Sequence, residues 1–173
     1  MTAGSRPRVG ISRCLIGDDV RYDGGHKRDG ALLDAVSHLV EWVPVCPEVE
    51  VGMGVPREPI HLVQESTRIR LVGVTSAADW TDRMEGWARQ RIAELDQLNL
   101  SGFVLKARSP SCGVRDVPIH SAEQAEVTGR GVFARILSDL HPDLPMEDEE
   151  RLHDAQVRGD FIDRVTRYRR HTR

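Results

Sequence analysis

The chain has 173 residues, a formal net charge of −3 at pH 7, and a hydrophobic fraction of 39%. This length allows one domain with a substantial core, and the slight negative charge argues against a general nucleic-acid binder, because phosphate binding needs a cationic surface. No run approaches the roughly 20 apolar residues of a membrane helix. The polar start MTAGSRPR has no apolar secretory segment, so we expect a cytoplasmic protein.

The first half of the chain alternates between short apolar runs and polar segments. Short apolar runs bounded by turn signals predict strands; these are 8–12, 43–45, 61–66 and 68–74. After the first strand, a loop with four glycines runs to Gly30. A helix is predicted over 31–42 because apolar residues recur there at helical spacing, namely at Leu32, Leu33, Val36, Leu39 and Val40. The segment 49–60, rich in glycine and proline, is predicted to be a loop.

The second half contains the longest predicted helix, 76–99, which we expect to begin at Ser76 as N-cap with acidic residues in the first turn. Its apolar positions share one face and predict a buried stripe; the stripe comprises Trp80, Met84, Trp87, Ala88, Ile92, Leu95 and Leu98. GFVLKA (102–107) predicts the next strand. Two further helices are predicted: GRGVFARIL (129–137) opens one behind two glycines, and the last spans 147–170.

The alternation of strands and helices predicts an α/β fold: a single compact domain with a mainly parallel, Rossmann-like sheet flanked by helices. We expect this domain to span 1–173, with flexible ends at 1–7 and 168–173. In such folds, ligands bind beyond the carboxyl ends of the strands. Functional residues are therefore expected in the loops that follow the strands.

Three cysteines follow predicted strands: Cys14, Cys46 and Cys112. Their odd number and wide spacing offer no disulfide framework, and stable disulfides are rare in a reducing cytoplasm. All three lie in turn-like contexts (RCLIG, VCPEV and PSCGV), whereas unrelated core cysteines behave as small hydrophobic residues. If the three strands are parallel neighbours, the thiols meet at one edge of the sheet. The pattern therefore favours one shared cysteine site over three isolated core residues.

Three thiols at one place are compatible with several chemistries. A structural zinc site needs four ligands, which His26 or His120 would complete, although no C-x-x-C pair is present. An iron–sulfur cluster usually takes four thiolates. Three thiolates leave one iron open to a substrate, as at catalytic metal sites. A cysteine-nucleophile enzyme needs one activated thiolate, and three equivalent cysteines argue against it.

The longest motifs are SRCLIGDDVRYDG, VPVCPEVEVGMGVPREP and GFVLKARSPSCG. Together they resemble the 2-thiouracil desulfurase family, in its short single-domain form, over about residues 8 to 165. GRGVFARIL and EDEERL fit the same family. The resemblance implies a [4Fe-4S] cluster held by Cys14, Cys46 and Cys112. It also implies that the free iron binds the sulfur of 2-thiouracil or a related thio-base, and that uracil and sulfide form without net redox change.

Three residues beside the cysteines are candidate catalytic groups. Glu48 follows Cys46 by two residues, with Pro47 fixing the chain direction between them. It would accept a proton from the attacking water or a hydrogen bond from a ring N–H; a solvated surface carboxylate is the alternative. By resemblance to the family, Ser109 or Ser111 would orient substrate or water, or bond a cluster sulfur. Ordinary turn chemistry is the alternative for both serines.

Other charged residues and partners are less constrained by the sequence. Lys106 and Arg108 would balance the negative charge of a cluster, or lie at the surface. The loop RYDGGHKRDG matches neither common nucleotide-binding glycine motif, and its residues 21–24 would shape a pocket. The expected partner is a small thio-base, with thiolated tRNA left open. The alternative from another class is a zinc-stabilised binding module that holds thiolated RNA, aided by the arginine-rich tail.

Overall fold

The computed structural model describes residues 5–121 and 127–168. The strands within these residues are β1 (Arg8–Ser12), β2 (Glu41–Val45), β3 (Ile60–Glu65), β4 (Arg68–Gly73), β5 (Gly102–Leu105), β6 (Val117–His120), β7 (Val127–Gly129) and β8 (Met146–Asp148). The α-helices are α1 (Arg13–Ile16), α2 (Gly30–Val36), α3 (Pro47–Glu50), α4 (Thr81–Asp96), α5 (Val132–Leu140) and α6 (Ala155–Arg167). A single 3₁₀ turn, Arg151–His153, precedes α6 in the described part of the chain.

Four strands form a parallel sheet in the order β2-β1-β5-β8. The central strands β1 and β5 are almost entirely buried, as expected for a parallel sheet covered on both faces. Helices α4 and α5 pack on one face with Phe103 and Leu105, and α2 and α6 pack on the other with Val9, Ile11 and Val104. The predicted α/β fold with a parallel sheet flanked by helices is confirmed.

A second, mixed sheet has the strand order β4-β3-β6-β7. Strands β3 and β4 form an antiparallel hairpin where 61–66 and 68–74 were predicted as strands, whereas β3 and β6 are parallel. One face of this sheet buries Leu62, Leu71, Val117 and Ile119 in the larger core cluster. The hairpin therefore closes one side of the domain instead of extending the parallel sheet.

Helix α4 carries the predicted stripe but begins later than predicted. Trp80, Trp87 and Leu98 pack against the core, and the remaining residues of the stripe are buried in it. The expected N-cap at Ser76 is wrong, because its hydroxyl bonds the carboxylate of Glu58 within a turn that precedes the helix. The Asp79 carboxylate instead accepts the N–H of Thr81 at 2.9 Å. The helix starts where that carboxylate can satisfy its first amide.

The helix predicted over 31–42 is too long. α2 ends at Val36, and Glu41 and Trp42 already belong to β2. Val40 lies in the segment that connects α2 to β2 and is buried there. Leu39, which was expected on the buried face, is 41% exposed. Apolar spacing thus continued by chance through a turn into the next strand, and periodicity alone cannot separate these two cases.

The last helix is also shorter than the predicted span of 147–170. Residues 146–148 form β8, and α6 begins at Ala155 with Asp154 as N-cap. Glu147 and Asp148 are buried and both pair with Arg115. An acidic run resembles a helix N-terminus in sequence, but here its carboxylates are satisfied by an arginine brought close by the fold.

No helix among the described residues is long and apolar enough to cross a membrane. The ends predicted to be flexible, 1–7 and 168–173, lie for the most part outside the described residues. Their flexibility and the exact limits of the domain stay predictions.

Candidate active site

The carboxyl ends of β1, β2 and β5 lie side by side and open into one cavity of about 720 Å³. Cys14, Cys46 and Cys112 all line this cavity, and each has a free thiol. Cys14 is half-buried and the other two are buried. The three thiols meet at one edge because the strands that precede them are parallel neighbours.

Backbone hydrogen bonds fix the first two cysteines. The carbonyl of Cys14 accepts the N–H of Lys27 at 2.9 Å. Cys46 is the N-cap of α3, and its N–H donates to Oε1 of Glu50 at 3.0 Å. Glu50 is held in turn by Arg91 of α4, with 2.9 Å between Oε2 and Nε. The two hydrogen bonds, together with this ion pair, set the backbone around both thiols.

The third cysteine lies in a turn packed against the start of α5. Oγ of Ser109 accepts the N–H of Cys112 at 3.1 Å, and the carbonyl of Ser111 accepts the N–H of Phe133 at 2.9 Å. A Cβ on Gly131 would lie 2.4 Å from the carbonyl carbon of Ser111. Glycine is therefore required for α5 to approach the turn this closely.

The two candidate serines occupy different places. Ser109 lines the cavity, and its hydroxyl oxygen holds the Cys112 turn. Ser111 is fully buried outside the cavity lining, and its Oγ has no hydrogen-bond partner among residues 5–121 and 127–168. Of the two hydroxyls, that of Ser109 borders the space that a substrate would occupy.

Burial and a nearby carboxylate favour the neutral form of all three thiols. Burial raises the pKa of Cys14 to about 11 and that of Cys46 to about 12, and it raises the pKa of Cys112 well above its ordinary value. The negative charge of the Glu48 carboxylate is the second-largest cause of the raised pKa at all three cysteines. Sγ of Cys46 donates to Oε2 of Glu48 at 3.4 Å. A metal that binds these sulfurs must therefore displace their protons.

Five carboxylates line the cavity, and four of them have amide or cationic partners. The four are Asp29 with His153 and the Leu32 amide, Glu58 with the amides of Thr75 and Ser76, Glu149 with Lys106, and Glu150 with Arg108. Among the described residues, Glu48 has only the Cys46 thiol as a hydrogen-bond partner. It is thus the carboxylate of the cavity that is free to accept a proton.

Lys106 and Arg108, which the sequence did not distinguish, differ in their surroundings. The Lys106 side chain is 17% exposed and pairs with Glu149, whose side chain is 7% exposed. The Arg108 side chain is 57% exposed and pairs with Glu150 at the cavity rim. Sequence reasoning missed Glu149 and Glu150 as site residues because their acidic run was interpreted as the start of a helix.

The described residues do not provide a site for a single metal ion. Within 5–121 and 127–168, no three or more histidine, cysteine, aspartate or glutamate side chains are close enough to hold one ion. The two histidines considered as zinc ligands, His26 and His120, do not line the cysteine cavity. His120 lies on the second sheet, where its ring is 5.0 Å from that of His61. These positions weaken the zinc-stabilised alternative.

A parallel α/β sheet whose carboxyl edge holds three thiols and a free carboxylate in one cavity has the architecture of an enzyme. Comparison with known proteins agrees. The family model of 2-thiouracil desulfurase matches residues 9–149, and the chain belongs to this family. It is therefore an enzyme of the desulfurase class, which cleaves carbon–sulfur bonds.

Two relatives illustrate the similarity. The chain is 31% identical over 147 residues to the uncharacterized protein YbbK of Bacillus subtilis (strain 168), covering 80% of this chain and 95% of YbbK. A solved structure of the [4Fe-4S]-dependent thiouracil desulfidase TudS superposes with a TM-score of 0.69 at 25% identity. That match covers 90% of this chain and 99% of the TudS chain.

Proposed function

We propose that the protein is an iron–sulfur-dependent, non-redox desulfurase that converts 2-thiouracil or a related thio-base to uracil and sulfide. The observation that carries this proposal is the single cavity lined by three cysteines and one free carboxylate, Glu48. The family match and the [4Fe-4S] dependence of TudS support it. A cytoplasmic location, where thiols stay reduced, is part of the proposal.

The cysteine cavity fits a cluster better than a single ion. Sulfur ligands of one zinc ion lie about 2.3 Å from the metal, and the described residues form no such close group. A cluster takes one thiolate on each ligated iron, so its cysteines need not converge on one ion, and three neighbouring strand ends can each supply one. Cys14, Cys46 and Cys112 would hold three irons.

When bound, the cluster would supply an iron without a protein ligand, a soft Lewis acid suited to a thiocarbonyl sulfur. The overall reaction joins water to the thiocarbonyl carbon, forms C=O, breaks C–S and releases sulfide with the two protons of water. No electrons are gained or lost, so the chain has only to orient the ring and move protons.

Glu48 would take the proton of the attacking water. Its carboxylate accepts a hydrogen bond from the Cys46 thiol. Binding of a metal to this sulfur removes the thiol proton and therefore ends that hydrogen bond. Both carboxylate oxygens would then be free of donors from the described residues. The Ser109 hydroxyl, at the cavity wall, would orient the water or a ring substituent.

The first experiment is an elemental and functional assay of one sample. Protein purified without oxygen is analysed for iron, acid-labile sulfide and zinc, then incubated with 2-thiouracil while sulfide and uracil are measured. About four irons per chain, as in one [4Fe-4S] cluster, together with stoichiometric sulfide and uracil, supports the proposal. A cluster without turnover would redirect the search to other thio-bases, and zinc without iron after reconstitution would overturn the proposal.

Gly131, just before α5, should matter for metal loading because it packs against the turn that carries Cys112. Gly131→Ala places a Cβ against the Ser111 backbone, so we expect an overpacking cost of about 1–3 kcal/mol and a strongly reduced iron content. Urea unfolding and iron analysis check both. The control is Gly86→Ala in α4, where a Cβ meets nothing within 4 Å. This variant should keep its iron, and equal iron in the two variants would contradict the packing argument.

The two serines should respond in opposite ways. Ser109→Ala removes the acceptor for the Cys112 amide, so we expect about 1–3 kcal/mol of lost stability for an unsatisfied buried donor, together with slower turnover. Ser111→Ala removes a hydroxyl without a described partner and should be neutral or stabilising. Urea unfolding of the metal-free proteins and steady-state assays test the pair. A larger loss for Ser111→Ala would reverse the assignment.

A further inference from the structure

Two cation–carboxylate pairs connect the loop that follows β5 to the turn that follows β8. Lys106 pairs with Glu149 and Arg108 pairs with Glu150, so two cations of the loop after β5 pair with two consecutive carboxylates after β8. The pairs differ in burial: the first is largely hidden from solvent and the second is about half exposed. Solvent screens the second pair far more than the first.

Several bonds hold the buried pair against the cysteine site. The N–H of Lys106 donates to Oγ of Ser12 at 2.9 Å, which ties the end of β5 to the end of β1. Glu149 accepts the N–H of Ala107 at 2.7 Å in addition to the lysine ammonium. Ser12 is two residues before Cys14. The backbone of Lys106 is therefore fixed beside the strand end that carries this cysteine, and its side chain lines the same cavity as Cys14.

A cluster at this site would need a counter-charge. A four-iron core of charge 2+ with three thiolates carries a net charge of −1, and Glu48 adds another negative charge beside the same sulfurs. The other carboxylates of the cavity are already engaged. Partly buried charges interact strongly because screening there is weak.

We propose that Lys106, clamped by Glu149, is the built-in counter-ion of the three-cysteine cluster site whose cavity it lines; this rests on the proposed function. Lys106 positions charge and does not touch the reacting atoms. Lys106 and Glu149 both line the cavity that holds Cys14, Cys46 and Cys112. The pair therefore places one positive and one negative charge at the wall of the cysteine cavity.

Removing one or the other charge of this pair predicts shifts of opposite sign. Net charge near an iron–sulfur cluster helps to set its reduction potential. Lys106→Met leaves the negative Glu149 unopposed and should shift the midpoint potential of the cluster to a more negative value. Glu149→Gln keeps an acceptor for the Ala107 amide and leaves Lys106 unopposed, so its shift should be to a more positive value. A purely structural role would not produce this inversion.

The test is a redox titration of reconstituted protein without substrate, followed by electron paramagnetic resonance. The redox couple of the cluster serves only to report the local electrostatic potential, since the proposed reaction transfers no electrons. Arg108→Met is the matched control, because it removes one cation from the same loop at a solvent-screened position. Its shift should be smaller than that of Lys106→Met. Thermal unfolding of each metal-free variant checks that the fold is kept.

Opposite shifts for Lys106→Met and Glu149→Gln, with a smaller one for Arg108→Met, support the counter-ion. Shifts of the same sign, no shift for Glu149→Gln, or an equal effect of Arg108→Met overturn it. If the Lys106→Met variant assembles no cluster, the sign of the potential shift in Glu149→Gln decides: a positive shift supports the counter-ion and a negative shift overturns it. Failure of the unaltered protein to assemble any cluster would instead refute the proposed function, so the two failures are distinguishable.

Discussion

Replacing Glu48 by glutamine should leave the cluster in place and slow desulfuration by about 10²- to 10⁴-fold, the usual contribution of a general base. The substitution keeps the size and hydrogen-bonding capacity of the side chain and removes only the ability to accept a proton. Glu48 is the cavity carboxylate without an amide or cationic partner in the described chain. The loss should therefore fall on kcat, measured by sulfide release, with iron content unchanged.

The matched control is Glu58→Gln in the same cavity wall. The Glu58 carboxylate accepts the amides of Thr75 and Ser76 at 2.7 and 2.9 Å, so it is occupied by the protein and is not a candidate base. Its effect on kcat should stay below tenfold. If Glu48→Gln retains normal turnover with normal iron, the base lies elsewhere and Glu48 serves at most to orient the ring.

The meeting of the cysteines could be predicted because it depends on a general property of parallel sheets. Cys14 and Cys46 directly follow apolar strands, and such strand ends gather on one side. Cys112 is harder to place, since six residues separate it from the end of β5 at Leu105. Its approach depends on the turn that Ser109 closes and Gly131 permits. The sequence indicated the turn residues and a following helix, but not that this helix packs against the turn.

The ion pairs of the site could not be predicted, because they depend on which strands are neighbours in the sheet. Lys106 meets Glu149 because β8 lies beside β5, although 43 positions separate the two residues. Local sequence carries no signal for that neighbour. The acidic run at 147–150 instead matched the pattern of a helix start. A tertiary pairing with Lys106, Arg108 and Arg115 determined the outcome.

The choice between Ser109 and Ser111 illustrates the same limit on a smaller scale. Both flank Pro110 and both resembled functional turn residues. Which hydroxyl borders the cavity depends on the direction of a single turn, and α5 sets that direction through bonds to the Pro110 and Ser111 carbonyls. Chemical type and spacing were identical for the two serines, so only the packing distinguishes them.

Replacing any one of the three cysteines by serine should abolish cluster binding and turnover together. A neutral hydroxyl is a harder and far less acidic ligand than a thiolate, and with one iron already lacking a protein ligand, a second open iron leaves two thiolates to retain the cluster. Iron and sulfide analysis after reconstitution measures the loss. We expect Cys14→Ser, Cys46→Ser and Cys112→Ser to behave alike, although Cys14 is the most exposed.

An equal loss of cluster and turnover in the three variants distinguishes the cluster from the other candidate chemistries. A cysteine-nucleophile enzyme would lose activity at one position and tolerate serine at the others, without any dependence on iron. Buried cysteines with no shared ligand would cost stability without a common loss of metal. Thermal unfolding of the metal-free variants removes misfolding as an explanation, since serine is nearly isosteric with cysteine. A variant that folds and keeps about four irons would exclude its cysteine as a ligand, and with it the three-cysteine cluster on which the proposed reaction depends.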